Sequence, residues 1–420
     1  MQNHTMTSSN SECVPVGASY VVLLADSFQE KGIERLESIG CIVEFEPTLT
    51  GDALLDTIAK KQPTVLVVRS TKVSEEMMDA SDSLSLIIRA GAGYDTIDIA
   101  AASNRGISVA NCPGRNSIAV AELTWGLILS CDRRIPDQVM ELRQQCWNKK
   151  EYSNANGLFG RTVGIVGLGG IGLEVMHRAK SFGMNVVAWS RSLTEEKASE
   201  LGISYCEQLN DLAAVSDVVT VHVASTTNTE KLIDRQFLSL MKKNAIFINT
   251  SRGSVVDELA LVEISQSSQL RVGLDVYSKE PSSSDQSFTS AITSESQIYG
   301  THHVGASTRQ AQEAITSEAV RIIESFVEEG RVWNCVNQSV DSIAIALLSI
   351  RHKNLPGVLA SVFDELSIAG INVEEMENIL YKGGQAACAR IQLGDTPTLD
   401  LIQAIRRDEN IISATLTTKN

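Results

Sequence analysis

A chain of 420 residues with a net charge of −15 is long enough for several hydrophobic cores and too acidic for a nucleic-acid or anionic-membrane binder. Its 43% hydrophobic and 21% charged residues exclude a disordered or fibrous polypeptide. No apolar run reaches the roughly 20 residues of a membrane span, so any anion bound here must be met by a few placed basic residues.

Residues 1–16 are polar and lack an apolar stretch, so a flexible tail is expected rather than a secretory signal. From residue 20 onward short β-branched runs alternate with amphipathic stretches. Strands are predicted at 20–25, 41–45, 64–68, 84–88 and 107–110, each bounded by Gly, Pro, Asp or Ser. A helix is predicted over 117–130, followed by a polar segment at 149–160. A second strand–helix series follows, with strands at 162–166, 185–189, 218–223, 245–249, 272–275 and 297–300, and a Ser-rich loop at 282–294. Such alternation predicts parallel sheets with helices on both faces. The spacing of Ile315, Ala319, Ile322 and Phe326 predicts a long helix over 308–329, stopped by Gly330.

The last 80 residues differ in character. A strand at 343–350, a helix opened by Asn354-Leu-Pro-Gly, two strands around Lys382-Gly-Gly, a helix near 397–407 and a strand at 411–416 make a βαββαβ unit, ferredoxin-like and separate. There is no internal repeat. The eight cysteines (13, 41, 112, 131, 146, 206, 335 and 388) form no C-x-x-C pair, so neither a metal site nor a disulfide framework is expected. Free thiols in a reducing cytoplasm are the expectation.

Gly167, Gly169, Gly170, Ile171 and Gly172 lie in a G-x-G-x-x-G stretch that follows a predicted strand and opens a helix. Glycines also punctuate ordinary turns, but in this context they predict a dinucleotide site. Gly167 allows the tight turn, Gly169 the approach of a pyrophosphate, and Gly172 close helix–strand packing. The next strand ends Ser190-Arg191-Ser192, where an acidic residue would hold the ribose hydroxyls of NAD. Ser190 does not repel a 2′-phosphate and Arg191 can pair with it, so NADP is favoured within NAD(P). Arg191 covering the adenine face for either cofactor is the plainer alternative.

Ser251-Arg252-Gly253, Asp275 to Glu280-Pro281, and Thr301-His302-His303-Val-Gly-Ala-Ser-Thr308 each follow a predicted strand. With Arg89-Ala90-Gly91-Ala92-Gly93-Tyr94-Asp95 and the glycine loop, they resemble the D-isomer-specific 2-hydroxyacid dehydrogenases, over about residues 20–330. Within that family the phosphoglycerate dehydrogenase branch is the nearest. Reduction of a 2-oxo acid needs a grip on the carboxylate, which suits the fixed charge and bidentate fork of Arg252. It also needs a proton donor near neutrality, which suits His303, with Glu280 holding the other ring nitrogen. The resemblance assigns these residues those roles. His302 stands where the family commonly has proline, which leaves two adjacent histidines as candidates. His222, at a strand end, approaches the cofactor or packs as a buried polar residue, and Asp275 orients the Arg252 or nicotinamide neighbourhood or is structural.

The same resemblance implies substrate contacts from Arg69, Arg89, Ala90, Gly91, Ala92 and Gly93, and from Arg134 reaching in from a neighbouring subunit. Arg69, Arg89 and Arg134 would receive a substrate phosphate. Arg115 in Pro113-Gly114-Arg115-Asn116 departs from that branch and matches relatives with other substrates. Trp147 lies in a segment that docks on a partner subunit in the family. Residues 341–420 resemble an ACT domain, in which His352, Asn354 and Asn372 match positions that bind L-serine; Asn354 can also cap the helix that follows it.

The expected fold class is therefore α/β: a flavodoxin-like substrate-binding domain (17–115 and 303–330), a Rossmann dinucleotide-binding domain (116–302), a linker (331–340) and an ACT domain (341–420). The resemblance implies oxidation of D-3-phosphoglycerate to 3-phosphohydroxypyruvate in serine biosynthesis, under amino-acid feedback, in a cytoplasmic homodimer or homotetramer. An NADPH-dependent hydroxypyruvate or glyoxylate reductase is the alternative within the chemistry. A non-catalytic dinucleotide-sensing scaffold like the corepressors of this fold is the alternative outside it.

Overall fold

The computed structural model describes residues 20–281, 287–339 and 343–418. The expected tail, residues 282–286 of the Ser-rich loop, residue 340 of the linker and the first two residues of the last domain lie outside them. The chain forms two compact units that divide after Asn337. Among the described residues no helix is long and apolar enough to cross a membrane. Seven cysteines are free thiols, and Cys13 lies outside the described residues.

In the larger unit, five parallel strands form the first sheet: β1 (Val21–Leu24), β2 (Ile42–Phe45), β3 (Val65–Val68), β4 (Leu86–Arg89) and β5 (Ser108–Asn111). Their order β2-β1-β3-β4-β5 is the flavodoxin-like one. Seven more parallel strands form the second sheet: β6 (Thr162–Val166), β7 (Asn185–Trp189), β8 (Ser204–Tyr205), β9 (Val218–Val221), β10 (Ile246–Asn249), β11 (Arg271–Leu274) and β12 (Ile298–Gly300). The order β12-β11-β10-β9-β6-β7-β8 is that of a dinucleotide-binding domain with one further strand. β3, β9 and β10 bury every residue. Covered on both faces, such strands can be almost continuously Val, Ile, Leu and Phe.

Two chain crossings join the sheets. After β5 the chain passes Cys112 to Asn116 and enters the helix Ser117–Arg133, which packs on β10, β11 and the helix Gly170–Ser181. That helix outruns its expected end at 130, because no Pro or Gly stops it. It ends where Arg134 turns left-handed (φ 54°), and a second helix, Ile135–Arg143, starts with Pro136 in its first turn. The return crossing leads to the helix Arg309–Glu329, capped by Gly330 at φ 68° as expected. It lays Ile315, Ala319, Ile322 and Ile323 on the first sheet's core. The chain then closes the free edge of β5. Cys335 forms an antiparallel bridge with Ala110, Val336 N–H donates to Val109 O at 2.7 Å, and Asn337 accepts from Val109 N–H at 2.8 Å. Part of the expected linker thus pairs with the edge of β5.

A buried carboxylate ties these pieces together. Glu318 accepts from Arg321 at 2.6 Å, Arg115 at 2.7 Å and Asn334 at 2.7 Å. The bond from Arg321 outweighs the cost of burial and, with Arg115 and Asn334, lowers its pKa from 4.5 to about 2. Arg115 is therefore a crossing-point anchor and does not line the substrate cleft. Because the folded pKa is depressed, this carboxylate stabilises the fold fully above pH 4.5 and loses that contribution as pH falls toward 2. Glu318→Gln is expected to cost about 2 kcal/mol at pH 7. Denaturant unfolding at several pH values would show the two proteins converging on acidification; a constant difference would contradict this account.

In the smaller unit β13 (Ala346–Lys353), β14 (Val373–Leu380), β15 (Ala386–Leu393) and β16 (Ile411–Thr418) form an antiparallel sheet in the order β14-β15-β13-β16. The helices Val358–Ile368 and Leu399–Arg406 cover one face, completing a βαββαβ unit. β13 starts and ends three residues later than expected, because its alternation of buried and open positions continues through buried His352. Asn354 does not cap the following helix. Gly357 holds the N-cap position, and the Asn354 amide donates to Gly384 O at 3.0 Å instead.

Candidate active site

Ligands in doubly wound sheets bind beyond the carboxyl ends of the strands. The loops after β1, β3 and β4 of the first sheet face those after β9, β10 and β11 of the second across a cleft of about 700 Å³. Arg69, Arg89, His222, Arg252, Asp275 and His303 all line it.

Arg252 leaves β10 on a turn built by Asn249, whose side-chain oxygen accepts from Ser251 N–H at 3.0 Å and whose amide donates to Arg252 O at 2.9 Å. Gly253 is required here, because a Cβ would stand 1.9 Å from the backbone carbon of Tyr277. That approach sets the β10 loop against the β11 loop, which carries Glu280. The Arg252 guanidinium donates to Ser251 O at 2.8 Å and, through Nε and Nη2, to Asp95 at 3.3 and 3.1 Å.

His303 Nδ1 lies 2.6 Å from Glu280 Oε2, and Glu280 Oε1 accepts from Tyr277 N–H at 2.9 Å. Burial works to raise the Glu280 pKa, but the bonds from His303 and Tyr277 prevail and hold it below the usual carboxylate range. An ionised Glu280 fixes the ring and leaves Nε2 for a substrate oxygen. Both adjacent histidines are exposed, and His303 is the one whose ring meets Glu280. His303 adopts φ 53°, left-handed and unusual for a residue with a side chain. Asp275 makes that turn: it accepts from Thr301 Oγ1 at 2.6 Å, Val304 N–H at 2.9 Å and Gly305 N–H at 2.8 Å. All three of these bonds come from the histidine loop, in line with the structural alternative for Asp275. His222 is buried, bonded through Nε2 to Thr220 at 2.8 Å, and burial pushes its pKa down to about 3. It is neutral, with Nδ1 unpartnered among protein atoms.

The glycine-rich loop fits a dinucleotide. Gly167 turns at φ 95°, where a Cβ would meet His222 O at 2.6 Å, and a Cβ on Gly172 would meet Gly167 O at 2.2 Å. Gly169 has open space in front of it, at the start of the helix Gly170–Ser181. This is the place where free N–H groups receive a pyrophosphate. Gly170 instead packs against Ser117, and Ile171 lines the cleft. Ser190 and Arg191 follow β7, with Arg191 exposed.

Gly91 and Gly93 let two of the cleft arginines lie on backbone, since a Cβ would stand 1.7 Å from Arg89 Nη1 and 2.2 Å from Arg252 Nη2. Burial first, then repulsion from Arg252, lowers the Arg89 pKa to about 10. Ala90 and Ala92 complete that wall of the cleft. The Arg69 loop is pinned by Asp26, which accepts from the backbone N–H of Arg69, Ser70 and Thr71 at 2.6, 3.1 and 3.2 Å. The pairings of Asp26 and Asp95 escaped the sequence reading, because their partners lie 43 and 157 residues away.

Four further expected ligand residues lie outside this cleft. Arg134 lies outside this cleft, in a separate polar cavity of about 870 Å³, and pairs with Asp137 at 2.9 Å and Glu151 at 2.6 Å. In the smaller unit Asn354 joins the start of β15, through Gln385, and Asn372 joins its end, through Gly394. Eight residues of strand separate them, about 26 Å, so one chain cannot hold one amino acid with both. His352 is buried, and both its ring nitrogens are bonded, to Lys353 O at 2.8 Å and Asn378 Oδ1 at 3.2 Å.

These features are those of a dinucleotide-dependent dehydrogenase, and the chain belongs to the D-isomer-specific 2-hydroxyacid dehydrogenases. The model of that family's NAD-binding domain matches residues 125–305. A hydroxypyruvate reductase of Thermotoga maritima is 38% identical over 261 residues, covering 62% of this chain and 83% of the relative. A D-3-phosphoglycerate dehydrogenase of Methanocaldococcus jannaschii is 38% identical over 318 residues, 75% of this chain and 59% of the relative. The match thus spans only about three-fifths of that relative's length. The NAD+-bound 3-phosphoglycerate dehydrogenase structure of Entamoeba histolytica superimposes with a TM-score of 0.64 at 25% identity, covering 77% of this chain and all of that one.

Proposed function

We propose that the protein is an NAD(P)-dependent dehydrogenase that oxidises D-3-phosphoglycerate to 3-phosphohydroxypyruvate, the entry to serine synthesis. The observation that carries this reading is the meeting of Arg252 and the Glu280–His303 pair with Arg69 and Arg89 in one cleft. Arg252 grips the substrate carboxylate and steadies the C2 oxygen. His303 Nε2 takes the hydroxyl proton as the C2–O bond becomes a carbonyl, and Glu280 stabilises the imidazolium that forms. The bound nicotinamide supplies the acceptor for the C2 hydride. Arg69 and Arg89 offset the chain's net charge of −15 locally and suit a phosphate.

The glycine loop from Gly167 to Gly172 would hold the pyrophosphate, and Ser190 with Arg191 the adenosine end. With no carboxylate at that strand end and Arg191 free of ion pairs among the described residues, NADP is the favoured cofactor. This same feature favours a second reading, an NADPH-dependent hydroxypyruvate or glyoxylate reductase, whose substrates lack the phosphate. Steady-state kinetics with phosphoglycerate, hydroxypyruvate and glyoxylate against each cofactor separates them. The first reading expects kcat/KM to favour the phosphorylated substrate, and Arg69→Ala to remove that preference; equal kcat/KM with and without phosphate overturns it.

The smaller unit acts, in this reading, as an ACT domain whose Asn354 and Asn372 meet an amino acid such as serine across two chains. A homodimer or homotetramer follows, consistent with the exposure of Trp147 (82%) and of Met140 and Leu142 on the helix that precedes it.

A further inference from the structure

We propose that Asp95 is a positioning residue for the reaction: reaching from the loop after β4, it aims the Arg252 guanidinium at the substrate carboxylate across the cleft. The inference rests on the reading of this cleft as a 2-hydroxy-acid site and deepens it.

Asp95 and Arg252 come from different sheets and meet side-on, Oδ2 to Nε at 3.3 Å and Oδ1 to Nη2 at 3.1 Å. The pair occupies one edge of the planar fork. Ser251 O takes Nη1 at 2.8 Å, which leaves the remaining donors facing the cleft. A guanidinium held on two sides has one orientation, and bidentate recognition of a carboxylate depends on that orientation.

Charge supplies a second reason. Arg252 and Arg89 repel one another in a half-buried cleft, and Asp95 is the carboxylate that faces both. Burial opposes ionisation of Asp95, yet the hydrogen bond and charge of Arg252 keep its pKa below the usual range. Without Asp95, Arg252 would be pushed away from Arg89 and out of the substrate's reach. Gly93 completes the arrangement, because Arg252 Nη2 fills the space that a Cβ there would take.

The Asp95 side chain is 44% exposed, and pairs so open to water add little to stability. The signature is therefore in recognition. Each sheet contributes one partner, so the pair exists only at the cleft width seen here. Productive aim of Arg252 is tied to the approach of the two sheets.

The test compares the full-length protein with Asp95→Asn and Asp95→Glu. The readouts are steady-state kinetics, the Kd of NADPH, thermal unfolding, and the Kd of oxamate, a carboxylate probe that needs no turnover. For Asp95→Asn the expected result is a rise of about tenfold or more in both the KM of the 2-oxo acid and the Kd of oxamate. The fall in kcat should be smaller, with NADPH affinity and melting temperature unchanged, and Asp95→Glu should recover part of the loss. Unchanged oxamate affinity and KM in Asp95→Asn would overturn the proposal. So would a parallel loss of cofactor affinity or melting temperature, which marks a structural role. If the native protein binds oxamate but ignores phosphoglycerate, the substrate reading fails while the role of Asp95 stands.

Discussion

Replacing His303 with glutamine is expected to lower kcat by about 10²–10⁴-fold while leaving NAD(P)H affinity and folding intact. His303 is half-exposed at the cleft and is held there by the turn that Asp275 organises, so its side chain adds little to the core. Glutamine can keep a hydrogen bond to Glu280, but it cannot take up and return a proton. The loss should therefore fall on the chemical step, with KM nearly unchanged. Stopped-flow single turnovers would place it there, and a His303→Gln protein with native kcat would remove the acid–base assignment. His222 cannot stand in, because burial holds its ring neutral down to about pH 3.

Replacing Arg252 with alanine is expected to lower kcat/KM by about 10²–10³-fold, the effect of losing a charge-assisted bidentate grip. The change also strands Asp95, whose ionised carboxylate would then face an anionic substrate. Arg252→Lys should recover only part of the activity, since an ammonium cannot serve Ser251 O, Asp95 and a carboxylate in one plane. The loss should appear in both KM and kcat, because in the proposed reaction the same group would hold the carboxylate in the ground state and the C2 oxygen during transfer. Steady-state kinetics with oxamate inhibition reads both. Wild-type kcat/KM in Arg252→Ala would show that the substrate sits elsewhere.

Both sheets were legible because buried parallel strands such as Val65–Val68 and Ile246–Asn249 are written almost wholly in Val, Ile, Leu and Phe. β8 escaped because Ser204–Tyr205 is two exposed residues with no pattern to read. The break between the helices at Arg134 also carried no signal, since an arginine in the left-handed region stands where glycine usually marks the stop. At the site, Arg252, Glu280 and His303 could be read from short motifs at strand ends. What motifs cannot show is which carboxylate meets which cation. Asp95 and Asp26 became visible only once the fold had joined distant segments. Asn354 and Asn372 were read as neighbours in function, yet one strand length separates them.

The segment that closes the β5 edge bears on how the dehydrogenase unit can be isolated. A chain shortened at Gly330, the apparent end of the last helix, would bare the backbone of Val109 and Asn111 along an open strand. Unpaired strands of this kind recruit one another and precipitate. It would also deprive Glu318 of Asn334. A shortened form meant for crystallography or for assays free of the smaller unit has its natural last residue at Asn337.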